Sequence, residues 1–367
     1  MQYLLNKGIR CFILTSGTLA PLPALIQELE IDIPIQLTNS HIIEANQVFV
    51  KVVAKGPDEV ELDSTYKNRK NPNYNKSLGN TILKFAKTVP GGLLVFFTSY
   101  SLMKQHIIVW KSTRIWDNIE KVKRIFVEPQ TKQELQITMN DYYRTNNDPT
   151  SKGAIFMAVM RGKVSEGLDF ADNQGRGAII TGLPYAPIHD PRVKLKKEYL
   201  DGKRNERDTM SGNVWYSLDA VRAVNQAIGR IIRHKSDYGA ILFCEKRFHQ
   251  TRTQENISGW VRENMHTQFQ RWEIENLAQF YTDAGQNLPK PAPKQSLESI
   301  TFDENSSDMD MYWAQLQTDD VDTSDSEDED IACLGRPMSQ ENDSIKLSGP
   351  IKRKRLDADS NSSKKPN

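Results

Sequence analysis

Short apolar runs alternate with longer helical patterns over the first 285 residues, and this alternation constrains the fold more than any other feature. The apolar runs are rich in β-branched and aromatic residues, and several follow a glycine, as at Gly92, Gly153 and Gly177. Such runs are typical of strands that are buried on both faces. The pattern predicts strands at 11–14, 48–53, 93–97, 125–127, 155–159, 178–181 and 240–243, and helices at 100–111, 131–145, 190–207, 215–233 and 262–282. This order of elements predicts an α/β domain with a mainly parallel sheet.

Residues 286–367 differ from this body in composition. Prolines at 289, 291 and 293 open a linker, and 13 acidic residues lie between Lys294 and Arg336 without a single Lys or Arg. A segment of this kind buries too little apolar surface to fold alone. We therefore predict a folded domain at 1–285 and a disordered tail at 286–367, first acidic and then basic.

The two parts of the tail suggest different partners. The acidic part is expected to bind proteins that the sequence does not identify. The basic cluster Lys352, Arg353, Lys354 and Arg355 predicts a nuclear import signal or a nucleic-acid contact, and hence a nuclear location.

Composition also excludes several classes of protein. The three cysteines (Cys11, Cys244 and Cys333) form no C-x-x-C pair, so neither a disulfide framework nor a zinc site is indicated, and three thiolates do not complete a [4Fe–4S] cluster. No apolar run reaches 18 residues and no signal peptide is recognisable, so we expect a soluble, intracellular protein without a membrane partner. Residues 1–285 hold 38 of the 48 Lys and Arg but 30 of the 47 Asp and Glu, a surplus compatible with a polyanionic partner.

The run at 226–234 places Gln226, Gly229, Arg230 and Arg233 at three- and four-residue spacings in an apolar segment. On the helix predicted at 215–233 these residues would share one face. A buried charge is costly without a partner, and guanidinium is well matched to phosphate. The arginines therefore either stabilise a transferring phosphoryl group or form structural salt bridges.

Two loops that follow predicted strands carry hydroxyl groups. Ser16 and Thr18 follow the run at 11–14, and Ser99 and Tyr100 follow the run at 93–97. Ligands of parallel α/β sheets bind at the carboxyl ends of the strands, where hydroxyls and helix N-termini can meet an anion. The alternative is that each loop is a capped turn leading into a helix.

A third loop, 160–170, follows the predicted strand at 155–159. Its Gly162-Lys163 pair suggests a phosphate-binding P-loop, but Met157 and Val164 stand where that motif needs glycine and a hydroxyl residue. Gly167 allows close approach of a ligand, and Asp169 can accept a hydrogen bond from ribose or from an arginine. Capping of a short helix by Asp169 is the alternative.

Together these segments resemble helicase motifs III to VI, in the same order along the chain. Their sequences are similar to those of the superfamily 2 DEAH helicases of the xeroderma pigmentosum group D type. The segments that carry the resemblance are 15–19, 96–100, 162–170 and 226–234. Phe126–Pro129 and Thr181–Tyr185 add to the likeness, which covers roughly residues 1–283.

The resemblance implies the second RecA-like motor domain of such a helicase. It implies that Arg230 and Arg233 are catalytic and reach across a cleft to the γ-phosphate of ATP. It places Gln226, Gly229, Glu166, Gly167 and Asp169 at the ATP site, and Ser16, Thr18, Ser99, Tyr100 and Arg161 on the DNA path or in the coupling between the two.

The implied cofactors are ATP and Mg²⁺, both shared with a first motor domain. The family's [4Fe–4S] cluster is not one that this chain ligates. The implied partners are single-stranded DNA, DNA junctions and the N-terminal half of the helicase. The implied function is ATP-dependent DNA unwinding in telomere maintenance and in DNA repair and recombination.

Two motifs of the family have no counterpart in the sequence. We find neither Gly-x-x-x-x-Gly-Lys-Thr nor an Asp-Glu-Ala-His box after a strand. One interpretation is a C-terminal portion of a helicase, which a start inside a helical pattern at 1–5 favours. The other is a naturally short, non-catalytic module that binds nucleic acid or a partner protein. Under either interpretation we expect no ATP hydrolysis by this chain alone.

Overall fold

Seven parallel strands form one sheet in the computed structural model, which describes residues 1–16, 21–37, 41–203, 210–266 and 274–287. The strands are β1 (Val48–Val52), β2 (Leu93–Phe97), β3 (Arg124–Val127), β4 (Ala154–Val159), β5 (Gly177–Ile180), β6 (Gly239–Phe243) and β7 (Met265–His266). Their order across the sheet is β3-β4-β2-β5-β6-β1-β7, and every neighbouring pair is parallel. The predicted parallel α/β class is confirmed.

Twelve α-helices connect or flank these strands in the described ranges. They are α1 (Gln2–Leu5), α2 (Leu22–Leu29), α3 (Pro72–Thr88), α4 (Tyr100–Ser112), α5 (Ile115–Glu120), α6 (Lys132–Asn147), α7 (Lys163–Gly167), α8 (Pro191–Gly202), α9 (Gly212–Ile228), α10 (Thr251–Gln254), α11 (Gly259–Glu263) and α12 (Ile274–Asn287). Short 3₁₀ turns occupy Ala45–Gln47, Asp172–Gln174 and Lys246–His249.

Helices cover both faces of the sheet, so the central strands are fully buried. Side chains of a strand alternate between faces. In β2, Leu94 and Phe96 pack with residues of α6 and α9, whereas Val95 and Phe97 pack with residues of α3, α4 and α12. This two-sided burial explains why the strands read as continuous apolar runs in the sequence.

The predicted strand at 11–14 is wrong. Residues 11–14 have no regular secondary structure and pair with no strand among the described residues, and Ile13 is 83% exposed. An apolar run becomes a buried strand only where neighbouring strands are available to pair with it. The other six predicted strands are present, with ends shifted by no more than one residue.

Three predicted helices need correction. The helix predicted at 215–233 begins at Gly212 and ends at Ile228, and Gly229 is its C-cap, with an N–H that donates to the carbonyl of Asn225. The helix predicted at 190–207 spans Pro191–Gly202. The helix predicted at 262–282 is replaced by α11, by β7 and by α12, which begins at Ile274.

The predictions also missed the helices α2, α3, α5, α7 and α10. Of these, α3 is the longest, and it packs Leu78, Ile82 and Phe85, at four- and three-residue spacings, against the sheet. Its N-cap is Asn71, whose side chain accepts a hydrogen bond from the N–H of Asn73.

The described residues belong to the first of two compact units, Met1–Asp320; the second is Val321–Asn367. The predicted domain boundary at 285 lies within α12, whereas the tail beyond Asn287 and the basic cluster Lys352–Arg355 lie outside the described ranges; the boundary, the tail and the cluster stay predictions. In the part of the chain that is described, none of the helices has both the length and the apolar character to cross a bilayer.

Candidate nucleotide and nucleic-acid site

The arginine segment follows helix α9 instead of lying on it. Ser211 caps the helix at its start, where its hydroxyl accepts a hydrogen bond from the N–H of Val214. The half-buried Gln226 lies in the last turn, and Arg230 and Arg233 lie in the turn and extended stretch beyond Gly229. The shared helical face predicted for the four residues is therefore wrong, because the helix ends at Ile228, two residues after Gln226.

A short helix stands at the end of strand β4. Arg161 adopts a left-handed backbone conformation (φ 65°), and Gly162 is the N-cap of α7. The Ser165 hydroxyl donates to the carbonyl of Gly162 at 2.9 Å. Glu166 and Gly167 form the last turn of α7. The loop thus contains a short helical turn, α7, whose backbone is stabilised by the Ser165 hydroxyl.

The arginine segment and the α7 loop meet. Arg230 donates its Nε to the carbonyl of Ser165 at 2.8 Å, and the Nε of Arg233 lies 2.5 Å from Oδ1 of Asp169. Arg233 also donates to the carbonyl of Gly229 at 3.1 Å. The two sequence segments, 60 to 70 residues apart, therefore form one site. Asp169 follows α7 and pairs with Arg233, so it does not cap that helix, and the salt-bridge interpretation of Arg233 describes the structure as it stands.

This ion pair lies at the surface. The side chains of Arg233 and Asp169 are 36% and 57% exposed, so water screens their attraction and either group can exchange partners. An incoming phosphate could take the guanidinium of Arg233 at little cost, because phosphate accepts the same forked donor set as a carboxylate.

The backbone of the arginine segment is held by a buried ion pair. Asp237, fully buried, accepts a hydrogen bond from NH1 of Arg176 at 2.8 Å and from the backbone N–H groups of Arg233 and Tyr238 at 3.1 and 3.0 Å. Arg176 stacks over the ring of Tyr238, 3.8 Å from its centroid. Gln47 donates its amide to the carbonyls of Lys235 and Asp237, both at 2.8 Å.

Asp172, His234 and Asp237 bring three possible metal ligands within 4.8 Å of one another. Each already has a protein partner: Nε2 of His234 lies 3.0 Å from Oδ1 of Asp172, and Asp237 is paired with Arg176. A cation would have to displace these partners and would meet the charge of Arg176. The group therefore reads as part of the network that holds the arginine segment.

Residues Ser99 and Tyr100 begin helix α4 at the end of β2. Ser99 is the N-cap, and its hydroxyl accepts from the N–H of Leu102 at 3.2 Å. Tyr100 donates its phenol to Glu128 at 2.9 Å. Burial, and then the adjacent Glu128 carboxylate, raise the pKa of Tyr100, so its hydroxyl remains a donor.

Glu128 joins this helix to the α7 loop. Its carboxylate also accepts from the N–H groups of Val159 and Val164, at 2.8 and 3.3 Å. A Cβ on Gly162 would lie 2.8 Å from this carboxylate, so the loop needs glycine there. Burial raises the pKa of Glu128, although the hydrogen bonds that it accepts oppose this.

Of the remaining predicted DNA contacts, Arg161 pairs with Asp219 of α9, at 2.6 Å, with the two side chains 22% and 17% exposed. Ser16 is exposed, and Thr18 lies outside the described residues.

The sequence interpretation missed Glu128, Asp237 and Arg176. A charged residue directly after β3 was the available signal for Glu128; nothing in the local pattern marked the other two as a pair.

The cysteines do not fit an iron–sulfur cluster. Cys11 is exposed and Cys244 is buried, and burial raises the pKa of the Cys244 thiol, which disfavours the thiolate that a cluster needs. Cys333 lies outside the described ranges.

Comparisons with known proteins agree with the α/β fold described above. The family model described as "Helicase C-terminal domain" matches residues 82–264, which include β2 to β6, α7 and α9. A solved structure named "XPD_Helicase" superposes on 72% of this chain and 44% of its own with a TM-score of 0.51. At 21% identity that likeness shows the fold alone. The parallel α/β fold and the domain match define a helicase C-terminal domain, with the RecA-like architecture predicted from the motifs.

Among curated proteins, the regulator of telomere elongation helicase 1 homologs of Culex quinquefasciatus and Aedes aegypti are 53% and 54% identical to this chain, over 82% and 79% of its length. The homolog of Drosophila melanogaster is 48% identical over 81%. The chain belongs to the family of the regulator of telomere elongation helicase. It spans less than a third of the length of these relatives, between 29% and 31%.

Proposed function

We propose that this chain is the second motor lobe of an ATP-dependent DNA helicase that acts in telomere maintenance and in DNA repair and recombination. The observation that carries the proposal is the meeting of Arg230 and Arg233 with the α7 loop, at Ser165 and Asp169. Two guanidinium groups at one surface are suited to bind the phosphates of a nucleotide held by another lobe.

The proposed role of the arginines is to stabilise the negative charge of the transferring phosphoryl group. Phosphoryl transfer is catalysed mostly by positioning and by neutralising charge, and an arginine supplied across an interface accelerates it by about 10³–10⁵. ATP supplies the phosphoryl group. Arg230 is proposed to contact the γ-phosphate, and Arg233 is proposed to leave Asp169 for the same phosphate.

The donor set fits the phosphates of ATP but not the whole nucleotide site. Arginines have no lone pair for Mg²⁺, and the sequence contains no phosphate-cradling P-loop. We therefore propose that a first motor lobe provides the cradle and the metal ligands, with Gln226, Glu166 and Gly167 near the nucleotide on this side. The chain alone should show no ATP turnover.

The DNA path is proposed to run past the N-terminus of α4. Support comes from Glu128, which connects Tyr100 of α4 to the backbone of the α7 loop. A strand that displaces the start of α4 would thereby move the loop that holds Arg230. This is the proposed route by which DNA binding and ATP hydrolysis are coupled.

Arg230→Ala tests the role of the arginine. In a two-lobe enzyme that joins this chain to a first motor lobe, the substitution should lower ATP turnover by at least 10³-fold and leave affinity for single-stranded DNA within about twofold. The matched control is Arg144→Ala, since Arg144 is exposed on α6 and pairs only locally with Asp141.

Thermal unfolding of both variants separates catalysis from folding. If Arg230→Ala lost turnover only in proportion to a loss of folded protein, Arg230 would be a structural residue and the proposal would fail. ATP turnover by the unaltered chain alone would also contradict it.

We further propose that Lys352, Arg353, Lys354 and Arg355 direct nuclear import. Replacing the four by alanine in a fluorescent fusion should shift the protein from the nucleus to the cytoplasm, whereas replacing the nearby Lys364 and Lys365 should not. An unchanged distribution would remove the import role.

A further inference from the structure

A turn between Ser64 and Asn71 presents an aromatic ring and cations at the surface; we refer to residues 64–71 as the Tyr66 turn. Tyr66 is 48% exposed, and the guanidinium of Arg69 lies over its ring, 4.1 Å from the centroid. Lys67 and Lys70 are exposed on either side of Arg69. Neither the helicase motifs nor the arginine site account for this turn.

The turn is rigid before any ligand arrives. Buried Asp63 accepts from the N–H of Thr65 at 2.9 Å and from the amide of Asn68 at 2.8 Å, and it pairs with Lys246 at 2.8 Å. Burial opposes ionisation of Asp63, but these bonds outweigh it and lower its pKa to about 2. The Tyr66 turn is thus anchored by a carboxylate that stays charged, and a ligand need not order it.

The charge along the chain after Asp63 is positive, and the carboxylates that lie near the turn in space have cationic partners. Glu245, which accepts from Ser64, pairs with Arg247, and Glu61 pairs with Lys246. No Asp or Glu occurs between Asp63 and Asp117, a stretch that includes the turn, α3 and α4. Nine basic residues lie in that stretch: Lys67, Arg69, Lys70, Lys76, Lys84, Lys87, Lys104, Lys111 and Arg114. Since Asp63, Glu61 and Glu245 are each paired with a cation, the exposed Lys67 and Lys70 favour an anion at the surface of the turn.

The turn also lies at the carboxyl edge of the sheet. A Cβ on Gly182, which follows β5, would lie 2.2 Å from Oγ of Ser64 and 3.0 Å from Cγ2 of Thr98. Ser64 begins the turn, and Thr98 precedes Ser99 at the start of α4. The Tyr66 turn is therefore continuous with the proposed DNA path at α4.

We propose that the Tyr66 turn is a contact site for single-stranded DNA, in which an unpaired base stacks on Tyr66 and Lys67 and Lys70 bind flanking phosphates. Arg69 lies over one face of the ring while Tyr66 remains 48% exposed, so the base is proposed to stack on the face opposite Arg69. Aromatic rings with adjacent cations are the usual platform for single strands, because every base offers a flat face. The inference rests on the proposed function, whose DNA path it extends.

A second exposed tyrosine provides a matched control. Tyr199 of α8 is 44% exposed, and Nζ of Lys203 lies over its ring at 4.3 Å. Here Glu30 pairs with Lys203 at 3.0 Å and accepts a hydrogen bond from the Tyr199 hydroxyl. The same ring and cation thus stand beside a carboxylate that repels phosphate, so no DNA contact is expected.

The test is fluorescence anisotropy of the full chain with a labelled 20-nucleotide oligothymidine and with a duplex of equal length. Tyr66→Ala should weaken oligothymidine binding by about 5- to 100-fold, whereas Tyr66→Phe and Tyr199→Ala should bind like the wild type. Duplex affinity should not respond to Tyr66→Ala, because paired bases offer no free face. The logarithm of the binding constant falls linearly with the logarithm of the salt concentration. Replacing Lys67 and Lys70 together by alanine should make the slope of that line less negative by about 1.4.

The outcomes separate this inference from the proposal that it extends. If the wild type binds oligothymidine and the Tyr66→Ala and double-lysine variants bind equally well, only the inference on the Tyr66 turn is overturned. A wild-type chain without salt-dependent binding would overturn both the inference and the proposed DNA path. Equal loss of duplex and single-strand affinity in Tyr66→Ala would show a structural role and would also overturn it.

Discussion

The two sides of the arginine segment are held in opposite ways. On the inner side, Asp237 and Arg176 form a fully buried ion pair that also binds the backbone N–H of Arg233. On the outer side, the guanidinium of the same Arg233 pairs with Asp169 at the surface. One residue thus has a fixed backbone and an exchangeable side chain.

This difference shows how one site can combine a fixed backbone with a side chain that is able to exchange its partner. A buried charge pair is costly to break once formed, whereas an exposed pair is worth little because water and salt screen it. The inner pair therefore sets where the arginines stand, and the outer pair leaves Arg233 able to change partner. Three measurements would break or sharpen this contrast.

The largest effect is expected from Asp237→Ala. The substitution leaves Arg176 buried without a counter-charge, which costs about 3–5 kcal/mol of folding free energy. Urea unfolding of the full chain measures this cost. A loss below about 1 kcal/mol would mean that the inner pair does not hold the segment.

A double variant identifies the source of that cost. In Asp237→Leu with Arg176→Met both charges are gone, so most of the lost stability should return. The part of the folding stability that the double variant does not regain is assigned to the backbone N–H groups of Arg233 and Tyr238, because both lose their hydrogen-bond acceptor. A double variant as unstable as Asp237→Ala would place the whole effect on those N–H groups.

A smaller effect is expected from pH, through a buried histidine on another face of the molecule. His106 of α4 is fully buried among the rings of Tyr74, Phe97 and Trp110, and within the described residues neither of its nitrogens has a hydrogen-bond partner. Burial lowers its pKa from 6.5 to about 3. Neutral His106 therefore contributes stability above pH 6.5 that is lost as pH falls toward 3.

At pH 4 this linkage should cost about 3 kcal/mol relative to pH 7. Urea unfolding at a series of pH values measures it, and His106→Phe, which does not titrate, should show a shallower loss of stability below pH 6.5. An equal dependence on pH in the two proteins would contradict the assignment to His106.

The smallest effect is expected from Asp169→Asn. Removing the outer charge should change the unfolding free energy by less than about 1 kcal/mol, because the pair is exposed. The loss should shrink further at high salt, where screening already weakens the pair. A loss as large as that of Asp237→Ala would show that Asp169 is structural and that Arg233 is not free to change partner.

The sequence was sufficient for six of the seven described strands and for bringing distant motifs to one site. β2 was predicted at its observed bounds, because a strand buried on both faces leaves an uninterrupted apolar run. The likeness to helicase motifs assigned Arg230, Arg233 and Asp169 to one site, and the structure brings them together. Their roles toward ATP stay predictions.

What the sequence did not supply depends on long-range contacts. Helix α9 ends at Ile228, although the apolar periodicity continues through Ile231 and Ile232 and predicted a helix to residue 233. Asp237 and Arg176 are 61 residues apart, and no local pattern indicates that they pair. The run at 11–14 has the composition of a strand, yet no neighbour in the described structure is available to pair with it.

Binding of ADP–aluminium fluoride, which imitates the transferring phosphoryl group, tests most directly whether Arg230 and Arg233 act on a nucleotide held by another lobe. In a two-lobe enzyme with Mg²⁺ present, Arg230→Ala should weaken binding of this analogue by at least about 10²-fold and change ADP affinity by no more than about twofold. Equal affinities of the variant and the unaltered enzyme for the analogue would show that Arg230 does not stabilise the transferring group.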